Sequence, residues 1–376
     1  METLEERFGL SRPNFLLDPA RDWECFARTD VNVHAQIENL QVDLVTGLAP
    51  KRLLWGPYGS GKTHTLYTTT HHLGNLTASH ALHVECPDLG RRSTFHDLYR
   101  DGIMRSLGED LVMELLNGAL DKVGMARRDE MVTRLRDIAG DEELAKVVIQ
   151  LLAPGANEIL IWSWISGVPL SRAELTQLGL TQSLADAQPA RLAEVIVLLG
   201  RLMRVVNEKT LVLVLDEMER SVLVGPEGSQ TFVTAFTRLA DQSHNDVALL
   251  IGCSAANLGD MPELFAANGP VMTRLQPPAR IEIPAMSDAT ADEFIQKVIA
   301  YIRRDDVDVN QLVQSAAEST TEALTPALYP FTEEAIAAIK SRLRQTMTPR
   351  EITLHLTQAA GKAHLLNRSC IAADVV

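Results

Sequence analysis

The sequence predicts an α/β fold, in which a parallel sheet is flanked by helices and joined by a large helical insert and a C-terminal helical lid. Five short apolar runs alternate with helical patterns, which is typical of a sheet built from right-handed crossovers. A stretch near residues 105–195 is helical throughout, and the pattern beyond Pro284 is again all helical. At 376 residues the chain is also long enough for more than one compact unit.

The apolar runs predict where the strands lie. Their ranges are 51–55 (KRLLW), 81–86 (ALHVEC), 210–217 (TLVLVLDE), 246–254 (DVALLIGCS) and 279–284 (ARIEIP). The third run is continuously β-branched or leucine, which suits a strand that is buried on both faces of a parallel sheet. We therefore expect an N-terminal segment at 1–50, an α/β domain at 51–284 that contains the insert at about 105–195, and a helical domain at 285–376.

Helical patterns fill the remaining chain. Apolar residues at i, i+3 and i+4 predict the insert helices in LVMELLNGAL, DEMVTRLRDI, EELAKVVIQLL and ARLAEVIVLLGRLMRVV. In the C-terminal domain, we expect one helix to open with Asp288 as its cap and another to open with Thr332. A polar linker is expected between them, up to Tyr329, and PREITLHLTQAAGKAHLL forms the last helix.

Composition limits the classes of function. The formal net charge is −14, which argues against non-specific binding to phosphates, although a local basic patch could still contact DNA. Aromatic residues make up 5% of the chain, which argues against base-stacking surfaces. The four cysteines lie far apart and are expected to be buried free thiols. The N-terminus resembles no signal peptide and no run reaches membrane-spanning length, so we expect a cytoplasmic protein that binds no membrane.

A phosphate-binding motif follows the first predicted strand. Residues 56–63, GPYGSGKT, match G-x-x-x-x-G-K-T, and a helix follows them. The glycines allow backbone N–H groups to turn inward around an anion, the lysine reaches the β- and γ-phosphates, and the threonine hydroxyl can bind Mg²⁺. The residues expected to hold the nucleotide are Gly56, Pro57, Tyr58, Gly59, Ser60, Gly61, Lys62, Thr63 and His64.

Two acidic residues end the third predicted strand. Asp216 can hold Mg²⁺ together with Thr63, and Glu217 can polarise a water molecule for attack on the γ-phosphate. This pair favours ATP hydrolysis over phosphate transfer to a small-molecule acceptor. The fourth strand should end nearby, so a polar residue there could contact the γ-phosphate. Ser254 is the first candidate and Asn257 the alternative, and the competing interpretation is an ordinary turn at the strand end.

Two arginines are further candidates. Arg274 precedes the last predicted strand and Arg350 begins a helix of the C-terminal domain. An arginine that reaches the γ-phosphate can raise the rate by orders of magnitude, whereas most arginines are solvated surface charges.

These motifs in this order resemble the AAA+ ATPases, a family of P-loop NTPases. GPYGSGKT resembles the Walker A motif, LVLVLDE the Walker B motif and IGCSAAN the first sensor. Within that family, ALHVECPDLGRRSTFHDLYRDGI and PAMSDATADEF are similar to the ORC/Cdc6-like branch, and WSWISGVPLSRAELTQLGL is similar to ATP-binding proteins of bacterial phage-defence (BREX-type) loci. The resemblance implies that Arg274 is an arginine finger acting on a neighbouring subunit and that Arg350 is the second sensor.

Two features depart from that pattern. The separation between Thr63 and Asp216 is much longer than the sheet needs, which is why residues near 105–195 are interpreted as an insert. The sequence after the lid leaves no room for the winged-helix DNA reader of origin-binding relatives, so direct sequence-specific DNA binding is not expected.

The preferred hypothesis is an ATPase that uses ATP and Mg²⁺ and acts as a homo-oligomer with ATP at subunit interfaces. It would act as a motor or a switch on a protein partner in a DNA-related or antiviral-defence complex, and it would contact DNA through that complex. The alternative is an ATP-dependent scaffold or signalling switch that turns over little ATP and recruits an effector. A remodeller of protein substrates ranks lower, because no aromatic–hydrophobic pair stands where a pore loop is expected.

Overall fold

One parallel sheet forms the centre of the α/β part of the chain. A computed structural model describes residues 2–25, 31–124, 127–152, 157–255, 280–344 and 347–376. Its strands are β1 (Lys51–Gly56), β2 (Ser79–Glu85), β3 (Thr210–Asp216), β4 (Val247–Ser254) and β5 (Arg280–Glu282). Within these described ranges the sheet has five strands in the order β2-β3-β4-β1-β5. The predicted strands are thus confirmed within about two residues, the agreement normally expected of strand ends.

The strand pairs explain which side chains reach the functional edge. β2 pairs with β3, β3 with β4 and β1 with β5, each in parallel, and Glu85 lies opposite Asp216 in the register. Every residue of β3 is buried, as the continuous apolar run predicts. Because the strands are parallel, the residues that end β2, β3 and β4 come to the same edge of the sheet.

Helices connect and flank the strands. Those before the end of the insert are α1 (Leu4–Phe8), α2 (Val31–Val45), α3 (Lys62–Gly74), α4 (Phe95–Asp97), α5 (Arg105–Leu107), α6 (Glu109–Val123), α7 (Arg128–Ala139), α8 (Glu142–Ile149), α9 (Glu158–Ile165), α10 (Arg172–Leu178) and α11 (Pro189–Asn207). They are followed by α12 (Pro226–Gln242), α13 (Asp288–Ile302), α14 (Val309–Ala317), α15 (Glu333–Leu343) and α16 (Pro349–Leu365). A π-helix, Leu98–Met104, joins α4 to α5, and a 3₁₀ turn, Met218–Leu223, follows β3.

The chain divides into two compact units. The first consists of Met1–Ala35, Gly56–Thr68 and Ile283–Val376, and the second of Gln36–Trp55 and Thr69–Glu282. Each unit has its own apolar core: one gathers around Phe15, Phe331 and the helices of the C-terminal region, and the other around the sheet and the insert.

In the second unit, the insert and the sheet share one core. Helix α11 contacts α6, α7 and α12 as well as β3 and β4. Gly200 lets this helix approach the sheet closely, since a Cβ there would lie 2.4 Å from Val247 Cγ2. Trp164, on α9, is fully buried in the same core and packs the insert against it.

The first unit contains the helices of the predicted lid. Helix α16 contacts α1, α13 and α15, and Thr332 caps α15 as predicted. The cap of α13 was predicted wrongly: Ser287 is in extended conformation and its hydroxyl accepts the Thr290 N–H, so Asp288 is the first helical residue. The expected linker before Tyr329 also contains a helix, α14, whose Val309, Leu312 and Val313 pack against a small apolar cluster.

The cysteine prediction is confirmed, because Cys25, Cys86, Cys253 and Cys370 are all buried free thiols. Burial raises the pKa of Cys25 and that of Cys86 to about 12, so both are thiols rather than thiolates near neutral pH.

Across the described ranges, no helix is both long enough and apolar enough to cross a membrane.

Candidate nucleotide-binding site

The predicted phosphate loop connects β1 directly to α3. Gly59 has φ +77° and Gly61 has φ +92°, conformations that side chains rarely adopt and that the glycine-rich sequence makes possible. Lys62 begins α3 and its side chain is buried. Its Nζ donates to the carbonyl oxygens of Gly56 at 3.0 Å and Pro57 at 2.8 Å, so the ammonium group is held on the loop itself. This strand–loop–helix arrangement, with the parallel sheet, is an α/β P-loop NTPase fold.

The first turn of α3 continues the predicted site. Thr63 is partly buried in that turn, and the Thr65 N–H donates to Gly61 O at 2.9 Å. Free N–H groups and the helix dipole at such a terminus favour bound anions. His64 is also partly buried, and burial lowers its pKa, against the opposing effect of the Asp22 carboxylate. A neutral His64 therefore adds no positive charge to the loop near neutral pH.

The start of α16 lies beside the phosphate loop. The Arg350 N–H donates to Gly59 O at 3.4 Å, and Thr348 caps the helix by accepting the Glu351 N–H. A Cβ on Gly59 would lie 3.1 Å from both Arg350 Cβ and Thr348 Oγ1. The Arg350 side chain itself is exposed. Its backbone thus adjoins the loop, whereas its role as a sensor stays a prediction.

Asp216 ends β3 as a buried carboxylate. Its side chain is 3% exposed, its Oδ1 accepts the Glu217 N–H at 2.7 Å, and its Oδ2 lies 3.6 Å from His83 Nε2. Within the part of the chain that the structure describes, Oδ2 accepts no hydrogen bond. A buried carboxylate oxygen without a donor is costly unless a cation or an ordered water meets it.

This carboxylate fits a magnesium ion better than a structural metal. Among the described residues, no group of three or more His, Cys, Asp or Glu side chains could enclose a metal ion. Mg²⁺ characteristically keeps several water ligands and takes few carboxylates from the protein. The single buried carboxylate of Asp216 is consistent with that preference.

Glu217 leaves the strand in a left-handed conformation, with φ +56°. Its carboxylate forms an ion pair with Arg220, three residues on. Burial raises the pKa of Glu217, and the neighbouring guanidinium group opposes that rise. The sequence prediction identified Glu217 but missed Arg220, although the i, i+3 spacing of opposite charges was a usable signal.

Ser254 is the last residue of β4, the strand between β3 and β1 in the sheet. Its N–H donates to Glu219 Oε2 at 2.9 Å, a contact that the sequence analysis did not foresee. The other candidates, Asn257 and Arg274, lie outside the described residues.

The chain is similar to several proteins of solved structure. Neither any family model nor any curated protein matches the chain. An ORC2 protein of Aeropyrum pernix, solved in ADPNP–ADP complexes, is 11% identical with a TM-score of 0.45, over 93% of this chain and 67% of that one. Cdc6p of Pyrobaculum aerophilum is 13% identical with a TM-score of 0.41, over 90% of this chain and 63% of that one.

A Walker-type ATPase of Pyrococcus abyssi is also similar, at 12% identity and a TM-score of 0.36, over 94% of this chain and 77% of that one. The chain thus spans between about two thirds and three quarters of these solved structures. By its strands, its glycine-rich loop and the helix that follows, the chain has the α/β fold of the P-loop NTPases.

Proposed function

We propose that this chain is a magnesium-dependent ATPase of the AAA+ type. The observation that carries the proposal is the end of β3, where a buried Asp216 oxygen that accepts no hydrogen bond from the described residues is followed at once by Glu217. The phosphate loop follows β1 in the same sheet, and β4, with Ser254 at its end, lies between the two strands. By the sequence resemblance, we propose that the loop and the acidic pair act on the same nucleotide.

Each residue then has a defined task. Lys62 exchanges the carbonyl oxygens of its own loop for the β- and γ-phosphates, and the N–H groups of the loop bind phosphate oxygens. Thr63 and Asp216 hold the metal ion, and Mg²⁺, when bound, neutralises phosphate charge. Glu217 accepts a proton from the attacking water as the bond between the γ-phosphorus and its bridging oxygen breaks, which releases ADP and phosphate.

The setting of this activity is the finer part of the proposal. It rests on the sequence resemblance and comprises an oligomer with ATP at subunit interfaces, Arg274 completing the neighbour's site, Arg350 sensing the nucleotide, and a protein partner in a DNA-related or phage-defence complex. Mass photometry with and without ATP, repeated with duplex DNA, tests it. Particles that stay monomeric under all these conditions would contradict the shared site, and unchanged turnover by Arg274→Ala would contradict the finger.

The ATPase itself is tested with two variants and a matched control. Lys62→Ala should lose nucleotide binding, since its ammonium group is the loop's only side-chain cation. Glu217→Gln should bind ATP and lose turnover by about a hundredfold or more, as for loss of a general base. Glu227→Gln, an exposed carboxylate in the first turn of α12, should behave as wild type. Turnover retained by Glu217→Gln would refute the assignment of the base, and turnover that persists in excess EDTA would refute the metal.

One observation favours the second candidate, a switch with little turnover. The ion pair with Arg220 engages the carboxylate that hydrolysis requires. A wild-type protein that binds ATP tightly but turns it over no faster than Glu217→Gln would support this alternative.

A further inference from the structure

Three apolar side chains are exposed where α2 ends, shortly before β1 begins. Val42, Val45 and Leu48 are 59%, 64% and 50% exposed, and all three lie in the second compact unit. Val42 and Val45 are three residues apart in α2, so they share one face of the helix. Single apolar side chains are common on protein surfaces, whereas neighbouring ones mark a surface for interaction.

The way in which α2 ends brings Leu48 to the same place. Gly47 has φ +81°, and its N–H donates to Leu44 O at 3.0 Å. The Leu48 N–H donates to Asp43 O at 2.9 Å. These two bonds form a Schellman motif, in which the residue after the glycine commonly packs against a residue of the last helical turn. Leu48 and Val42 occupy those two positions, so the three apolar side chains form one surface.

Arg204, on α11, borders this surface with its positive charge. Its Nη2 donates to Gly47 O at 3.2 Å, within the turn that ends α2, and its Nη1 donates to Asn245 O. Both acceptors are neutral carbonyl oxygens, and across the described ranges no carboxylate pairs with this guanidinium group. Arg201, three residues earlier, differs in this respect because it lies 3.3 Å from Asp246 Oδ2.

Lys51, the first residue of β1, is a second cation of the same kind. Its Nζ donates to Ala49 O at 3.3 Å and to His244 O at 3.2 Å. Burial lowers the pKa of Lys51, and no carboxylate in the described part of the chain opposes that effect. The next residue, Arg52, is again different, since it lies 2.8 Å from Asp43 Oδ2.

These residues define the α2–β1 surface, which consists of Val42, Val45, Leu48, Lys51 and Arg204. It joins exposed apolar side chains to two cations in a chain whose net charge is −14. Apolar side chains and carboxylates of another protein match both features, whereas a nucleic-acid backbone matches only the cations. A two-fold contact between two copies of this chain would bring the cations of both copies together, which is unfavourable.

We propose that the α2–β1 surface binds a short segment of another protein in which apolar side chains stand beside one or more carboxylates. The apolar side chains of that segment cover the end of α2, and a carboxylate accepts hydrogen bonds from Arg204 or Lys51. This inference goes beyond the proposed ATPase and does not depend on turnover, because the surface contains no residue of the phosphate loop and neither Asp216 nor Glu217.

The test begins with a library of random dodecapeptides displayed on phage. The library is selected on the full chain and depleted on the double variant Val45→Ser with Leu48→Ser. Enriched peptides should combine leucine, isoleucine, valine or phenylalanine with a net negative charge. An enriched set that is neutral or basic, or no enrichment at all, would overturn the proposal.

Anisotropy titrations with one enriched peptide, labelled with fluorescein, then measure the single contributions. Val45→Ser should weaken binding about fivefold, because a half-exposed valine is no longer there to be buried. Lys51→Gln should weaken it about threefold and reduce its dependence on the NaCl concentration. The matched control is Ile159→Ser, which removes a side chain that is 73% exposed in α9 and should leave the affinity unchanged. Equal weakening by Val45→Ser and the control would refute the assignment of the surface.

Two other occupants give different results. If the wild type self-associates and the double variant does not, as measured by sedimentation velocity, the occupant is a second copy and the proposal is wrong. If duplex DNA binds the wild type and is weakened by Lys51→Gln but not by Val45→Ser, the surface serves phosphates, and the proposal is again wrong. Should thermal unfolding show that the double variant does not fold, Val42→Ser replaces it, since this position is exposed on the helix.

Peptide binding by Lys62→Ala separates this inference from the proposed ATPase. The variant should bind the enriched peptide with wild-type affinity, even though it is expected to lose nucleotide binding. A chain that hydrolyses ATP but enriches no acidic apolar peptide keeps the ATPase and loses the surface. A chain that binds the peptide through Val45 but hydrolyses no ATP keeps the surface and loses the ATPase.

Discussion

Replacing Gly59 with alanine tests whether the conformation of the phosphate loop limits ATP binding. Gly59 has φ +77°, and a Cβ there would lie 3.1 Å from both Arg350 Cβ and Thr348 Oγ1. Holding an L-residue in this left-handed region costs about 1–2 kcal/mol. Arg350 Cβ is bonded to the backbone of α16, so the start of the helix must shift, and the Thr348 hydroxyl can rotate away only by losing its cap on the Glu351 N–H.

Without nucleotide, the loop of Gly59→Ala can relax out of this conformation, and it must return to it to bind the phosphates. We therefore expect this variant to bind ATP roughly fivefold to thirtyfold more weakly, which is the affinity equivalent of that strain. The assay is an equilibrium titration with a fluorescent ATP analogue, combined with thermal unfolding in the absence of nucleotide. Gly361→Ala is the matched control, because Gly361 lies in the same helix and a Cβ there would meet nothing within 4 Å. Removing this mid-helix glycine should stabilise the fold by about 0.5–1 kcal/mol without changing ATP affinity.

Two outcomes would refute the reasoning. Wild-type affinity in Gly59→Ala would mean that the loop tolerates a side chain and that its positive φ is not required for binding. Equal weakening in Gly361→Ala would mean that any change in α16 affects the nucleotide, irrespective of the loop.

The remaining predictions concern the stability of the sheet and insert. Gly200→Ala would place a Cβ 2.4 Å from Val247 Cγ2 and 2.8 Å from Asp246 O, so urea denaturation should show a loss of about 1–3 kcal/mol from overpacking. Arg191→Ala removes a donor 3.0 Å from Asp141 Oδ1, and the free energy of unfolding at pH 7 should fall by about 1.5–3 kcal/mol. Burial raises the pKa of Asp141, but hydrogen bonds from Arg191 and the Leu144 N–H outweigh it and hold the pKa below its ordinary value. A lowered pKa of Asp141 stabilises the fold at pH values above its unfolded-state pKa of about 4, and this stabilisation is lost as the pH falls through its folded-state pKa. The difference in the free energy of unfolding between Arg191→Ala and wild type should therefore shrink below about pH 4. A difference that stays constant to pH 2.5 would contradict this account.

The sequence predicted the strands well because their chemistry is local. Continuous apolar runs bury both faces of β3 and β4, and no helical pattern competes with them there. The long separation between Thr63 and Asp216 likewise predicted helices between them, which the structure confirms from α6 to α11. Glycines and a lysine at fixed spacing were sufficient to predict the conformation of the phosphate loop.

Errors arose where two local signals competed. Helix α14 was taken for a linker because the sequence around it is largely polar, yet Val309, Leu312, Val313 and Ala316 have the spacing of one helix face. The cap at Ser287 was missed because the adjacent Asp288 is an equally good cap by residue type, and only backbone geometry separates them.

The contacts of Arg220 and Glu219 depended on tertiary structure. The short spacing from Glu217 could predict the first ion pair, but the carbonyl of Cys86 and the N–H of Ser254 are brought near only by the strand order. Such partners, far apart in sequence, are visible once the sheet is assembled. Arg350 is comparable, since its approach to Gly59 joins residues nearly 300 positions apart in the chain.

The single core shared by the sheet and the insert has a consequence for how the second unit unfolds and responds to a bound protein. Helix α11 belongs to the insert at its start and contacts β3 and β4, and the described residues of insert and sheet form one apolar core. We expect sheet and insert to melt in one cooperative transition. A protein that bound α6 or α7 would act on the same closely packed core that contains β3, the strand that ends in Asp216. A shift of those helices would therefore strain the ends of the strands.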